Sequence, residues 1–252
     1  MPLTASLRLP SVISASKHRV SIEMANKVSF RKPASSRTAL ASPKSAVSVA
    51  NGGRPKRMSR EELAPNVRSA IFKAAAKVVG EYGYNNASIA RITETAGIAQ
   101  GTFYLYFNSR QDLLDELLPH VGQDMLDFIR GRVAGAKDIY DVEERGFRAF
   151  FDYLKGNPGF FIILNEAEGA APVAHQKHFK LLSDHYVESL KRGVNSGQIR
   201  NLRAEELETV AYMFMAARSY LYLRYVKGKR EMRSVPEEVV QTYMKIVRDG
   251  LK

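Results

Sequence analysis

Residues Ser88 to Leu114 read SIARITETAGIAQGTFYLYFNSRQDLL, and the rest of the chain is understood from them. Ser88 is placed to cap a helix in which Ile89, Ile92, Thr93 (through its methyl) and Ala96 recur at i, i+3, i+4 and i+7. Gly97 stops that helix where the turn needs a residue tolerant of positive φ. A second helix is predicted from about Ala99 to Phe107. Two helices joined by a short glycine-containing turn make a helix-turn-helix.

The second helix divides its residues unusually. Phe103 and Phe107 are four apart and fall on one face, which anchors it to a core. Gly101, Thr102 and Leu105 lie opposite, flanked by Tyr104 and Tyr106, and Gln100 stands at the N-terminus with an amide able to address a base edge. No charged residue occurs between Ala99 and Phe107. Such a surface is a poor solvated face and a good one for a groove.

The run AGIAQGTFYLYFNSRQDLL, preceded by a helix and by GRPKR, resembles the DNA-binding domain of the TetR family of bacterial one-component regulators, over roughly residues 54–118. The remainder resembles that family only in length and helical layout. The resemblance implies that Gln100, Gly101, Thr102, Tyr104 and Leu105 contact bases and that Ser88, Tyr106 and Arg110 hold phosphates. Three positions depart from the family's common pattern: Ala99 replaces a capping Ser, Arg110 a Lys, and Thr93 an Ala. In Gly53-Arg54-Pro55-Lys56-Arg57, Pro55 stiffens the backbone and Arg54, Lys56 and Arg57 project from it, as minor-groove arms do. A solvated basic linker is the alternative.

The net charge of +12 is unevenly placed. Residues 1–60 carry 12 Lys and Arg against one acid, Glu23, whereas residues 61–252 carry 26 basic against 25 acidic side chains. The segment 61–118 is slightly acidic, with five basic and seven acidic residues. Bulk charge thus describes a basic tail, and the case for DNA rests on the motif. Residues 1–60 are expected to be a disordered basic extension; a transit peptide and an upstream start codon, with Met58 as the working start, are compatible with the same composition. Cysteine is absent, which removes disulfides, thiolate-bound zinc and thiol catalysis together.

The expected fold is all-α: a three-helix DNA-binding domain over 61–118, then a helical effector-binding and dimerisation domain over 119–252. The first helix is expected from about Ala64 to Tyr82, with Tyr82 on its buried stripe and Gly83 ending it. Ser109 caps a fourth helix that Pro119 should kink or break. Asn157-Pro158 is a cap-plus-N1 signal for another. The stretch Leu207–Val226 is apolar nearly all round, which implies burial on two sides. One side would face its own core and the other a second copy, since groove-reading helices work in two-fold pairs. Homodimerisation is therefore assigned to Leu207–Val226 and Val235–Leu251.

Catalytic and metal constellations are not found. His175, His178 and His185 share a helix face but read as a wet stripe, and Glu166 and Glu168 lie on different faces. The chain is read as a non-enzyme without cofactor or metal; a helical enzyme or partner-binding module with a vestigial helix-turn-helix is the alternative. Met125, Phe128, Phe151, Phe161, Leu164, Met213, Phe214 and Ala217 are the candidates for an effector cavity. The implied partners are a palindromic duplex operator, a second copy of the chain and an unknown small molecule. No membrane is implied, and the expected location is the cytoplasm, at the nucleoid.

Overall fold

The computed structural model describes residues 60–228 and 234–251. The basic arm Arg54, Lys56 and Arg57, the extension over 1–59 and part of the loop after Gly228 lie outside the described residues. Within them the fold is all-α, and no strand occurs. The helices are α1 (Arg60–Asn86), α2 (Ile89–Ala96), α3 (Gln100–Phe103), α4 (Arg110–Val133), α5 (Ile139–Gly156), α6 (Phe160–Ala170), α7 (Pro172–Asn195), α8 (Leu207–Tyr225) and α9 (Glu237–Leu251).

The helix-turn-helix forms for the reasons its sequence supplies. Ser88 Oγ accepts from the Arg91 N–H at 3.3 Å, and Gly97 closes α2 at φ 69°, its N–H returning to Glu94 and Thr93 carbonyls. Ala99 occupies the cap of α3 with no side-chain hydrogen bond. The regular part of α3 is only four residues long. From Tyr104 to Phe107 the backbone tightens into turns, with Leu105 N–H on Thr102 O and Tyr106 N–H on Phe103 O. An uncapped, uncharged helix with few internal bonds lacks what would hold a longer regular segment. Phe103 and Phe107 are fully buried and hold α3 against Phe72 of α1, whose ring meets Phe107 edge-on at 5.3 Å.

Two further helix boundaries differ from expectation. The helical run of α1 extends to Asn86 across a break at Gly83, whose φ of 76° and ψ of 167° are not helical. That break turns Tyr82 outward and brings Tyr84 into the core instead. Helix α6 begins at Phe160, because Asn157 is already engaged in closing α5: its N–H bonds Leu154 O and its side-chain amide bonds Tyr153 O.

Helix α4 runs unbroken through Pro119, joining the helix-turn-helix to the body. It is not the only such link. Helix α1 crosses α6 at a pair of glycines so close that a Cβ on Gly80 would lie 2.8 Å from Gly159 Cα. Both positions lie in backbone, which cannot move aside as a side chain can. Gly80→Ala is therefore expected to destabilise the protein by about 1–3 kcal/mol despite alanine's better helix propensity. A urea midpoint at or above the wild-type value would show that the crossing tolerates a methyl.

Helices α5 to α9 complete the body around a core continuous with that of α1 to α4, running from Ile71 to Leu251. Helix α8 shows two faces: Leu207, Ala211, Met215, Arg218 and Tyr222 point inward, while Tyr212, Ala216, Tyr220 and Leu223 form an exposed stripe at i, i+4, i+8 and i+11.

Candidate functional site

On the helix-turn-helix, Gln100, Gly101, Tyr104 and Leu105 are exposed and Thr102 is half-buried. Leu105, at 76% exposure, and Tyr104, at 56%, are among the most solvent-facing large apolar side chains described. Residues 99–107 thus present one uncharged surface backed by rigid phenylalanines. Ser88 is exposed but engaged as a cap, Tyr106 is half-buried, and Arg110 lies beneath the turn between α1 and α2. Arg110 donates from Nε to Ala87 O at 2.7 Å and from Nη2 to Tyr84 O. The same turn is held from the body: Tyr84 N–H donates to Glu166 Oε2 at 2.7 Å. Glu166, set aside as a catalytic candidate, is instead a tie between α6 and the DNA-binding end.

In the body, a small cavity of about 60 Å³ lies among α4 to α8. Of the eight residues expected around an effector, Met125, Phe161 and Leu164 line it. The other five do not. Phe151 packs into a ring cluster with Phe147 and Phe150, and Phe128 lies against Tyr153. Phe214 leans on Tyr186 and Tyr243, Ala217 packs against the core, and Met213 is 64% exposed. The helix phase puts 213 and 217 away from the inner face defined by Met215 and Arg218, while 214 sits at the edge of that face, turned toward Tyr243 of α9.

The residues that sequence reasoning passed over are the polar ones. Arg218, on the inner face of α8, is buried and reaches Glu143 Oε1 at 2.9 Å and the Tyr243 hydroxyl at 3.3 Å. Its guanidinium lies 5.3 Å from the Phe147 ring centre and 5.2 Å from that of Tyr186. Burial disfavours its charge, but Glu143 more than compensates, and the net direction of its pKa is upward. Nε of Arg218 has no partner among the described residues. A signal existed: Arg218 is one of only two cations in a mainly apolar helix, in phase with Ala211 and Met215.

His178 corrects the reading of a wet histidine stripe. His185 is exposed and His175 half-buried, but His178 is wholly buried at the crossing of α7 with α4. Its Nδ1 packs where a Cβ on Gly122 would lie, 2.4 Å away, and neither ring nitrogen has a partner of hydrogen-bonding geometry. Burial pushes its pKa down to about 4, the nearby Leu118 carbonyl opposing this only in part. The unfolded chain, titrating near 6.5, then binds a proton that the folded one refuses. Stability is complete above about pH 6.5 and falls as pH drops toward 4, by about 3 kcal/mol from this group. Denaturant midpoints compared with those of His178→Leu should diverge over that interval, and parallel curves would contradict the assignment.

Comparison with known proteins agrees with this geometry. Residues 71–117 match the family model described as "Bacterial regulatory proteins, tetR family". An uncharacterised helix-turn-helix-type transcriptional regulator of Bacillus subtilis, YvdT, is 43% identical over 72 residues, covering 29% of this chain and 37% of the relative. The helix-turn-helix-type transcriptional repressor NicS of Pseudomonas putida is 27% identical over 65% of this chain and 78% of its own length. A crystal structure of a TetR-family regulator from Syntrophomonas wolfei has the same fold, with a TM-score of 0.60 at 22% identity over 75% of this chain and 98% of that one. The matched motif and the surface it carries agree: residues 71–117 are a TetR-family DNA-binding segment, and the helical body behind them has the fold of the TetR-family structure.

Proposed function

We propose that the protein is a transcriptional repressor that binds a palindromic operator as a homodimer and leaves it when a small molecule enters the body. The observation that carries this reading is the exposed, uncharged surface Gln100–Leu105 on a helix-turn-helix anchored by Phe103 and Phe107. Gln100 would read a base by its amide, Leu105 and Thr102 would meet thymine methyls, and Gly101 would let the backbone approach. Tyr104 adds a ring to the same face. The phosphate contacts belong to Tyr106, to Arg110 through its remaining nitrogen, and to the Ser88 hydroxyl, which still has a proton to donate. Arg54, Lys56 and Arg57 would follow the adjacent minor groove.

Dimerisation is supported by the outer stripe of α8. Tyr220 is 72% exposed there, and Ile246 on α9 is 68% exposed. A run of large apolar groups left to water on one helix face is what a partner helix would cover. The division at about residue 118 is functional, between a part that reads DNA and a part that senses, since one core serves both. No helix among the described residues is long and apolar enough to cross a membrane. A regulator of this kind works at the nucleoid, in the cytoplasm, without a catalytic step.

Selection of bound sequences from random duplex DNA tests the reading. An inverted repeat with half-sites about 10 base pairs apart between centres is expected, together with binding that steepens with protein dimer concentration. Enrichment of no sequence, with retention of all DNA lost in moderate salt, would reduce the protein to a non-specific binder.

A further inference from the structure

The cavity in the body combines features that specify its ligand's chemistry, and the inference rests on the reading of that cavity as the effector site. Its walls are apolar, but two buried polar side chains reach it, His178 from α7 and Arg218 from α8. Each carries an unpartnered nitrogen: Nε of Arg218, and the ring nitrogens of His178. A buried donor or acceptor left alone costs free energy, so both are vacant positions for a ligand's polar atoms.

Charge decides which atoms. Arg218 is already neutralised by Glu143 at 2.9 Å. A carboxylate brought beside that pair would lose its hydration and meet Glu143 as well as Arg218, so its attraction to the cation would be largely cancelled. A neutral carbonyl needs only the N–H that Nε offers. His178 is uncharged in its buried setting, and its Nδ1 faces the α4 backbone near the Leu118 carbonyl. The backbone at Gly122 covers Nδ1, so Nε2 is the nitrogen left for a ligand; with the ring proton on Nδ1 it is an acceptor, suited to a hydroxyl donor.

We infer that the cavity takes an uncharged, mainly apolar molecule bearing a carbonyl-type oxygen for Arg218 Nε and a hydroxyl for His178 Nε2. At about 60 Å³ this cavity is too small for it. A neighbouring cavity of about 170 Å³ shares Leu126, Ile129, Tyr186 and Arg218 and opens toward the surface beside Arg130 and Arg192. A ligand larger than the first cavity must extend into the second or part the helices that line both, α4, α5, α7 and α8. Helix α4 also begins within the DNA-binding end of the fold, at Arg110.

Matched eleven-carbon probes test this on the full-length protein by calorimetric titration: 2-undecanone, 1-undecanol, undecanoate and undecane. The ketone and the alcohol should each bind about tenfold tighter than undecanoate and than undecane. Converting the Arg218–Glu143 pair together, by Arg218→Met with Glu143→Leu, should cost the ketone about tenfold and leave the alcohol unchanged, whereas His178→Leu should do the reverse. Undecanoate binding as tightly as the ketone, no binding of any probe, or equal losses for all probes in both variants would overturn the inference. The ranking of probes on the wild type stands as a test if either variant fails to fold. Should the ketone bind as expected yet leave operator binding unchanged, the site's chemistry is upheld and the ligand-released repressor is what fails.

Discussion

Glu143→Ala is expected to destabilise the protein by about 3–5 kcal/mol, because it strands a buried guanidinium. Arg218 would keep only the Tyr243 hydroxyl and the Phe214 carbonyl, both at 3.3 Å, for a charge removed from water. Tyr243 would lose its acceptor too, since its hydroxyl donates to the same Glu143 oxygen. The loss is a penalty for an unpaired charge and not the worth of the pair. The double change Glu143→Leu with Arg218→Met should accordingly recover most of the stability. Urea unfolding of the single and double variants separates these cases. If the single variant matches the wild type, or the double is no better than the single, the cluster is not held as described.

Leu105→Glu is expected to abolish operator binding while leaving the fold intact. The side chain is 76% exposed, so its replacement disturbs no packing. At the groove it would exchange an apolar contact for a carboxylate between two rows of phosphates, at a cost of several kcal/mol. Gel retardation should show at least a hundredfold loss, with an unfolding midpoint within the error of the wild type. Retained affinity would mean that this face does not enter the groove.

The parts of this protein that were legible in its sequence are those governed by local rules. Ser88, Gly97 and Ser109 define helix ends through hydrogen bonds to residues at most four positions away, and they do so in the structure. Phe103 and Phe107 follow from helix phase alone. The apolar run Val210–Ala217 likewise pointed to burial of α8, and in the structure one face is buried while Tyr212, Ala216, Tyr220 and Leu223 are exposed. What was hidden depends on long-range contacts. That Gly80 meets Gly159 and that Glu166 bonds the Tyr84 amide requires knowing that α6 returns to α1, 79 or more positions along the chain. His178 looked like a surface residue because its helix carries His175, Lys180 and Asp184 nearby, and only the crossing with α4 at Gly122 reveals its burial.

Those long-range contacts also change how the two ends of the molecule would communicate. The proline in α4 removes one hydrogen bond from that helix, so bending near Pro119 costs less than elsewhere along it. Movement of α4 would be felt by Arg110, and movement of α6 by Glu166, and both hold the turn at Tyr84. A shift of a few Å there alters the separation of the two recognition helices in a dimer, which must stay about 34–36 Å apart to enter successive major grooves.

The central claim is that Gln100–Leu105 reads base sequence, and Gln100→Ala tests it most directly. Gln100 is the one amide on the exposed N-terminal edge of α3. DNA sequences selected by the wild type and by the variant should differ at one position in each half-site, with a loss of about 1–3 kcal/mol for the wild-type base there and unchanged preferences elsewhere. An identical selected sequence at undiminished discrimination would contradict the account.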